Sequence, residues 1–305
     1  SFGSEAAAVM ERFARQIMVL MALTTGAAAS PGCAALGRYS PTMGLESRGI
    51  FQPAKYPHGE WVQTDVLVQD ANFAAQDGTK LHGWFAAHEQ PKGHALLLHG
   101  NAGNVTLLAK TLRTLNRRHN LAVLALDYRG FGKSEGKPSE EGLYQDARAA
   151  RRWLAEKERI AETDVILMGV SLGGAVAVDL AARDGARGLV LANTFTSLPA
   201  AAQLQMPWLP MNLVLATRMN SLAKIKDYHG PLLISHGDAD EVVPYQQGQT
   251  LYDAAPGPKK FITAAGGKHN DPQPEEYRVA LDEFIAQLPP LIEKSKNQRT
   301  EEPKG

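Results

Sequence analysis

The sequence predicts an α/β fold: a mostly parallel twisted sheet, opened by an antiparallel hairpin, with helices on both faces and a small cap or none. Three observations predict it. Residues 61–87 alternate polar and apolar positions and turn at Asp77-Gly78, a hairpin signal. Beyond them, short apolar runs of strand length alternate with segments of helical length, the rhythm of parallel βαβ units. One such unit, 164–180, passes from an apolar run through Gly169-Val170-Ser171-Leu172-Gly173 straight into an Ala- and Val-rich segment.

In chain order, Val62, Val66 and Val68 suggest a first strand, 71–75 a second, and 80–85 the return arm of the hairpin. Residues 95–98 form a short buried strand, 107–118 have helical spacing and 121–126 form the next strand. A helix is expected over 140–157, with Ser139 as N-cap and acids in its first turn. After the 164–180 unit come strands at 189–191 and 232–234, a helix over 245–254 behind Pro244, a strand at 261–263 and a helix over 275–288. Residues 197–226 break the rhythm, being too long for a plain connection. They read either as a small cap, with Trp208 and Met211 as candidate substrate-pocket residues, or as a crossover helix with an elongated loop.

Composition sets outer bounds. The 305 residues are 44% hydrophobic, enough for a large core. Lys plus Arg and Asp plus Glu number 32 each, and no basic stripe with interleaved aromatics points to nucleic acid. A single cysteine, Cys33, excludes an intrachain disulfide. Residues 1–33 resemble a secretory signal: Arg12 and Arg15, an apolar stretch over 17–23, then Ala27-Ala28-Ala29. Cys33 follows small residues, as at lipoprotein attachment sites; lipidation there, ordinary cleavage and an uncleaved amphipathic segment are three readings. The expected location is exported, either periplasmic or membrane-anchored through Cys33, with the cytoplasm as alternative. Residues 34–60 read as an extended linker, 61–290 as one domain and 291–305 as a disordered polar tail. The sequence sets no oligomeric state.

The G-x-S-x-G pattern between strand and helix is a nucleophile elbow. Its glycines remove Cβ atoms that would obstruct a sharp turn. Gly132-Lys133-Ser134-Glu135-Gly136 repeats the letters without that context, so Ser134 reads as a loop serine and Ser171 as the nucleophile. An activated serine needs a base, and the base an orienting acid. Two later motifs, each following a strand, supply them: His236-Gly237-Asp238-Ala239-Asp240-Glu241-Val242-Val243-Pro244 and Gly266-Gly267-Lys268-His269-Asn270-Asp271. The glycine-rich turn after the 95–98 strand places one oxyanion donor on the Asn101 backbone; the other is the backbone N–H of Leu172. His82, His94, His119 and His229 are scattered without metal-ligand spacing.

H-G-N-A-G-N, D-Y-R-G-F-G-K-S-E-G, G-V-S-L-G-G, N-T-F-T-S, H-G-D-A-D-E-V-V-P and G-K-H-N-D, in this order, resemble an α/β-hydrolase. More narrowly they look like the branch that holds the eukaryotic protein depalmitoylases and related bacterial hydrolases. The resemblance covers about 61–288 and implies Ser171, Asp240 and His269 as catalytic triad, with His99 and His236 holding loops. Lys268 stands where a small residue is usual, and the depalmitoylases' cysteine-rich N-terminal region is absent. The expected activity is hydrolysis of carboxylic esters or thioesters, without metal or cofactor. Alternatives are a serine peptidase of the prolyl-peptidase type, disfavoured because no β-propeller precedes the domain, and a non-catalytic binding protein on a hydrolase scaffold.

Overall fold

A computed structural model describes residues 50–61, 68–205 and 207–291. The signal-like segment with Cys33, most of the 34–60 linker, Val62, Val66 and all but the first residue of the 291–305 tail lie outside them. The chain divides into two compact units, Ser1–Gln52 and Pro53–Gly305. The first contributes only residues 50–52 to the described part; the second holds every element below.

Eight strands form one sheet. They are β1 (Val68–Ala74), β2 (Lys80–Ala86), β3 (Gly93–Leu98), β4 (Leu121–Asp127), β5 (Val165–Val170), β6 (Gly188–Ala192), β7 (Leu232–Gly237) and β8 (Lys259–Ala264). Their spatial order is β1-β2-β4-β3-β5-β6-β7-β8. β2 pairs antiparallel with both β1 and β4; the remaining pairs are parallel. The order reverses between β4 and β5, with β3 between them, so the ends of β3 and β5 flank the switch point where open α/β sheets place their sites. Val68 belongs to the same strand as 71–74 rather than to a separate one, because Val68 to Ala74 pair continuously with Ala86 to Lys80.

The helices are α1 (Ala109–Arg117), α2 (Glu140–Glu158), α3 (Leu172–Asp184), α4 (Leu198–Gln205), α5 (Met211–Val214), α6 (Ser221–Lys224), α7 (Tyr245–Ala254) and α8 (Glu275–Gln287). Ser139 caps α2 by accepting from the Gly142 N–H, and two acids occupy the first turn. A short 3-10 turn, Val105–Leu108, precedes α1, capped by the Asn104 side chain. On one face of the sheet Ala95, Leu97, Ile166 and Met168 pack with Leu112 and Leu115 of α1 and Leu281 and Phe284 of α8. The pleat turns Leu96, Leu98 and Leu167 to the opposite face, where α2 and α3 pack on each other and on β3 and β5. All five central strands are buried along almost their whole length, which is why they read as continuous apolar runs. Residues 197–226 hold three short helices, α4 to α6, in place of one long crossover helix.

A charged clasp ties the β4 end to the layer above it. Arg129 Nε and Nη2 donate to Asp146 Oδ1 at 2.9 and 2.8 Å, and its backbone N–H to Asp146 Oδ2 at 2.7 Å. Nη1 reaches Asp77 of the hairpin turn at 2.8 Å. Asp146 is fully buried and Arg129 nearly so. Removing the guanidinium strands a carboxylate in the core, which costs about 3–5 kcal/mol. Arg129→Met is therefore expected to lower the unfolding free energy by about that amount in urea titrations, and adding Asp146→Leu to recover most of it.

Candidate active site

The turn after β5 is built by close approach. A Cβ on Gly169 would collide with the Gly173 carbonyl, one on Gly173 with the Leu98 carbonyl, and one on Gly174 with the Thr194 side chain. Glycine at these points lets β5, α3 and the end of β3 meet backbone to backbone. Ser171 then takes φ 52°, a conformation unfavourable for a residue with a Cβ. Two bonds hold it there: its N–H donates to the Ala192 carbonyl at 2.9 Å, and its carbonyl accepts from Thr194 Oγ1 at 2.7 Å. The side chain stands at the C-terminal edge of the sheet, just ahead of the N-terminus of α3.

Two further segments bring partners to it. His269 lies in the loop after β8, with Nε2 at 3.1 Å from Ser171 Oγ and Nδ1 at 2.7 Å from Asp240 Oδ2. Asp240 lies in the loop after β7, and its other oxygen accepts from the N–H groups of Val242 and Val243 at 2.9 and 2.8 Å. Burial by itself would raise the Asp240 carboxyl; the His236 ring, with Nε2 at 3.4 Å, and hydrogen bonds from His269 and Val243 outweigh it and hold the group well below the ordinary carboxylate range. An ionised Asp240 accepts only, so His269 Nδ1 carries the proton and Nε2 is left to accept from the serine hydroxyl.

The other serine and aspartate take different places. Ser134 is buried, donates to the Asp127 carbonyl at 2.6 Å and accepts from the His82 N–H at 2.9 Å. Asp238 Oδ1 accepts from the Gly266 N–H at 2.6 Å, tying the acid loop to the histidine loop. His82 sits between Asp127 and Asp70, and His119 against Asp282.

The loop after β3 lies against the serine, since a Cβ on Gly100 would sit 3.5 Å from the Ser171 Cβ. Burial between Tyr128 and Phe131 pushes the His99 ring toward its neutral form. Its Nδ1 donates to the Gly100 carbonyl at 2.7 Å. That carbonyl belongs to the same planar peptide as the Asn101 N–H, so fixing one end aims the other the opposite way. His236 Nε2 donates to the Val243 carbonyl at 2.8 Å and shapes the acid loop.

One residue of the site escaped the sequence reading. Asn193, at φ 47°, donates through Nδ2 to the His269 carbonyl at 2.7 Å and accepts at Oδ1 from the Gly237 N–H at 3.1 Å. It joins the ends of β6 and β7 to the histidine loop. The signal was N-T-F-T-S, a polar cluster at a strand end on the same edge as Ser171. Of the two candidate pocket residues, Met211 is fully buried and Trp208 is 62% exposed. Met211 is taken up by the core, and Trp208 stands in solvent.

Comparison with known proteins agrees with this architecture. The family described as serine aminopeptidase, S33, within a broader hydrolase grouping, matches residues 89–226. An uncharacterized protein of Mycobacterium tuberculosis is 39% identical over 220 residues, 72% of this chain and 76% of that protein. The α/β hydrolase domain-containing protein WAV2 of Arabidopsis thaliana is 31% identical over 227 residues, 68% of this chain and 74% of that protein. The Pyrococcus furiosus esterase Pf2001 superposes with a TM-score of 0.65 at 21% identity, covering 78% of this chain and 99% of that one. The chain belongs to the α/β-hydrolase superfamily. It has that fold's mostly parallel sheet with an antiparallel hairpin at one edge.

The depressed Asp240 pKa has a consequence for stability. A carboxyl held lower in the folded than in the unfolded state stabilises the fold above its unfolded pKa of about 3.9, and loses that contribution as the pH falls toward the folded value. The melting-temperature gap between the protein and Asp240→Asn should therefore be widest near neutrality and close as the pH drops below about 4.

Proposed function

We propose that the protein is a serine hydrolase that cleaves carboxylic esters, thioesters among them, through an acyl-enzyme. The observation that carries this reading is His269 placed between Asp240 and Ser171, with one ring nitrogen within hydrogen-bond distance of each. In this reading Ser171 Oγ attacks the substrate carbonyl while its proton passes to His269 Nε2. The imidazolium so formed is stabilised by Asp240, which stays ionised. The new oxyanion accepts from the backbone N–H groups of Leu172, first residue of α3, and Asn101, whose peptide His99 orients. Each such donor contributes about 2.7–4 kcal/mol to the transition state in comparable hydrolases. His269 then protonates the departing alkoxide or thiolate. Water, deprotonated by the same nitrogen, attacks the acyl carbon and frees the acid and the serine.

Esters are favoured as substrates by the fold neighbours, which include proteins described as esterases. The matched family's description, serine aminopeptidase, favours a second reading in which the bond cleaved is an amide. A panel of p-nitrophenyl esters set beside aminoacyl p-nitroanilides separates them. Faster turnover of the esters is expected, and turnover confined to the anilides would replace the ester reading.

The partners of Ser171 and Ser134 lead to opposite outcomes on substitution. Ser171→Ala should abolish hydrolysis with the melting temperature kept or raised, since the strained turn loses no supporting bond. Ser134→Ala should keep turnover near that of the unsubstituted protein but cost about 1–3 kcal/mol, because a buried N–H and carbonyl lose their partner. Steady-state kinetics and thermal melts on the two variants check this.

The two aspartates divide in the same way. Asp240→Asn, which leaves His269 free to take the wrong tautomer, is expected to lower kcat by about 10⁴. Asp238→Asn should cost roughly 1 kcal/mol of stability with little change in rate. A reversed order of the two kcat values would move the orienting acid to Asp238.

A further inference from the structure

The loop after β3 carries the Asn101 N–H, and its backbone is soft on both sides of that residue. Gly100 precedes Asn101, and Gly103 follows it at φ 80°, a conformation that glycine adopts freely. His99 fixes the near end of the loop through the Gly100 carbonyl. The far end, Gly103 and Asn104, is fixed by residues 53–61, the last part of the segment that reads as a linker.

Asn104 makes that attachment. It is 1% exposed. Its Nδ2 donates to the carbonyls of Ala54 and His58 at 3.0 and 2.7 Å. Its Oδ1 accepts from the Thr106 N–H at 3.0 Å and from the Thr106 hydroxyl at 2.7 Å. A backbone N–H can only donate, so the bond from Thr106 settles which end of the amide is oxygen. Both donors and both acceptor positions of the side chain are therefore in use. Beside it the Ala54 N–H donates to the Gly103 carbonyl at 2.9 Å. The strap is itself tied to the loop after β4: Tyr56 N–H to the Gly132 carbonyl and Gly132 N–H to the Ala54 carbonyl, each at 3.0 Å, and Lys55 Nζ to the Ser134 carbonyl at 2.9 Å. On the other side of Asn104, the Val105 N–H donates to Asp127 Oδ1 at 2.7 Å.

We infer that Asn104 is a positioning residue for hydrolysis: by clamping the loop after β3 to residues 54–58, it holds the Asn101 N–H where the oxyanion forms. This rests on the ester-hydrolase reading above and deepens it. Buried as it is, Asn104 acts through the loop and not by touching substrate. Negative charge grows on the carbonyl oxygen only in the transition state, and a donor already in place stabilises it without reorganising. With the clamp released, the donor has to be re-aimed at every turnover, so the loss falls on the chemical step. Removing one such donor costs about 10²–10³-fold in kcat, and misplacing a group by about 1 Å about 10²-fold.

The test is made in the full chain. Asn104→Asp keeps the oxygen that Thr106 needs but sets a second oxygen against the Ala54 and His58 carbonyls. On p-nitrophenyl acetate, kcat and kcat/KM should fall together by about 10–100-fold with KM unchanged, as for an interaction made only in the transition state. The specific signature is the ratio of kcat/KM for this ester to that for its thionoester, in which C=S replaces C=O. Sulfur accepts hydrogen bonds weakly, so the thionoester owes less to the two N–H groups. Its rate should fall less, and the ratio should shrink severalfold. Gly59→Ala strains the same clamp from the strap side, because Gly59 sits at φ 108° and a Cβ there would collide with the Thr106 hydroxyl; it should shrink the ratio too. Ser134→Ala, destabilised through a side chain that takes no part in the clamp, should leave the ratio unchanged. Thermal melts establish that each variant is folded, and if Asn104→Asp is not, Gly59→Ala decides. An unchanged ratio in the deciding variant, or a ratio that shrinks as much in Ser134→Ala, would show that Asn104 only supports the fold and would overturn the inference. Where the unsubstituted protein turns over p-nitrophenyl acetate, such a result sinks the positioning role alone. No turnover by the unsubstituted protein sinks the hydrolase reading, and this inference with it.

Discussion

The close approach of three backbone segments beneath Ser171 is the constraint on which the site depends. The end of β3, the turn after β5 and the first turn of α3 touch where any Cβ would collide with a carbonyl oxygen or with Thr194. That contact sets the height of the serine above the sheet and brings the Gly100 backbone against it. It also leaves Ser171 in a backbone conformation that a side chain disfavours. The strain is held in place by neighbours: the Ala192 carbonyl takes the serine N–H, and the Thr194 hydroxyl takes its carbonyl. Substituting Gly173 would thus disturb Ser171, the loop after β3 and the packing of α3 together.

Around this fixed point the other groups come from distant parts of the chain. His269 reaches Ser171 across 98 residues of sequence, and Asn193 bonds the histidine loop across 76. Parallel strand order makes this possible, since β5, β6, β7 and β8 lie side by side and all end on the same edge. The short loops at that edge are stiffened by their own hydrogen bonds. Val242 and Val243 hold Asp240, His236 holds the Val243 carbonyl, and Asp238 ties the acid loop to Gly266. The proposed catalysis needs such support, because a base misplaced by about 1 Å loses about 10²-fold in rate.

Much of this was legible in the amino-acid order, and the reasons differ from element to element. The central strands announce themselves because burial on both faces demands unbroken apolar runs, and the elbow because only glycine fits beneath it. β8 reads only in its middle, over 261–263: Lys259 and Lys260 join it through pairing with Leu232 and Leu233, which no apolar pattern records. The hairpin was divided wrongly at Val68, since continuous pairing to β2 decides where a strand ends and alternation alone does not. The connection over 197–226 carries apolar residues without a steady period, so its three short helices could not be told from one helix and a loop. Asn193 was missed for a deeper reason. It acts through partners far away in sequence, and an isolated amide carries no mark of what it will touch.

The central claim is that Ser171 is the nucleophile, made so by His269 and Asp240. Its most direct test is to treat the intact protein with a fluorophosphonate, digest it and locate the phosphonylated residue by mass spectrometry. The account predicts a single adduct on Ser171, formed slowly or not at all when His269 is replaced by alanine. An adduct on Ser134, or labelling of Ser171 at the same rate without His269, would contradict it.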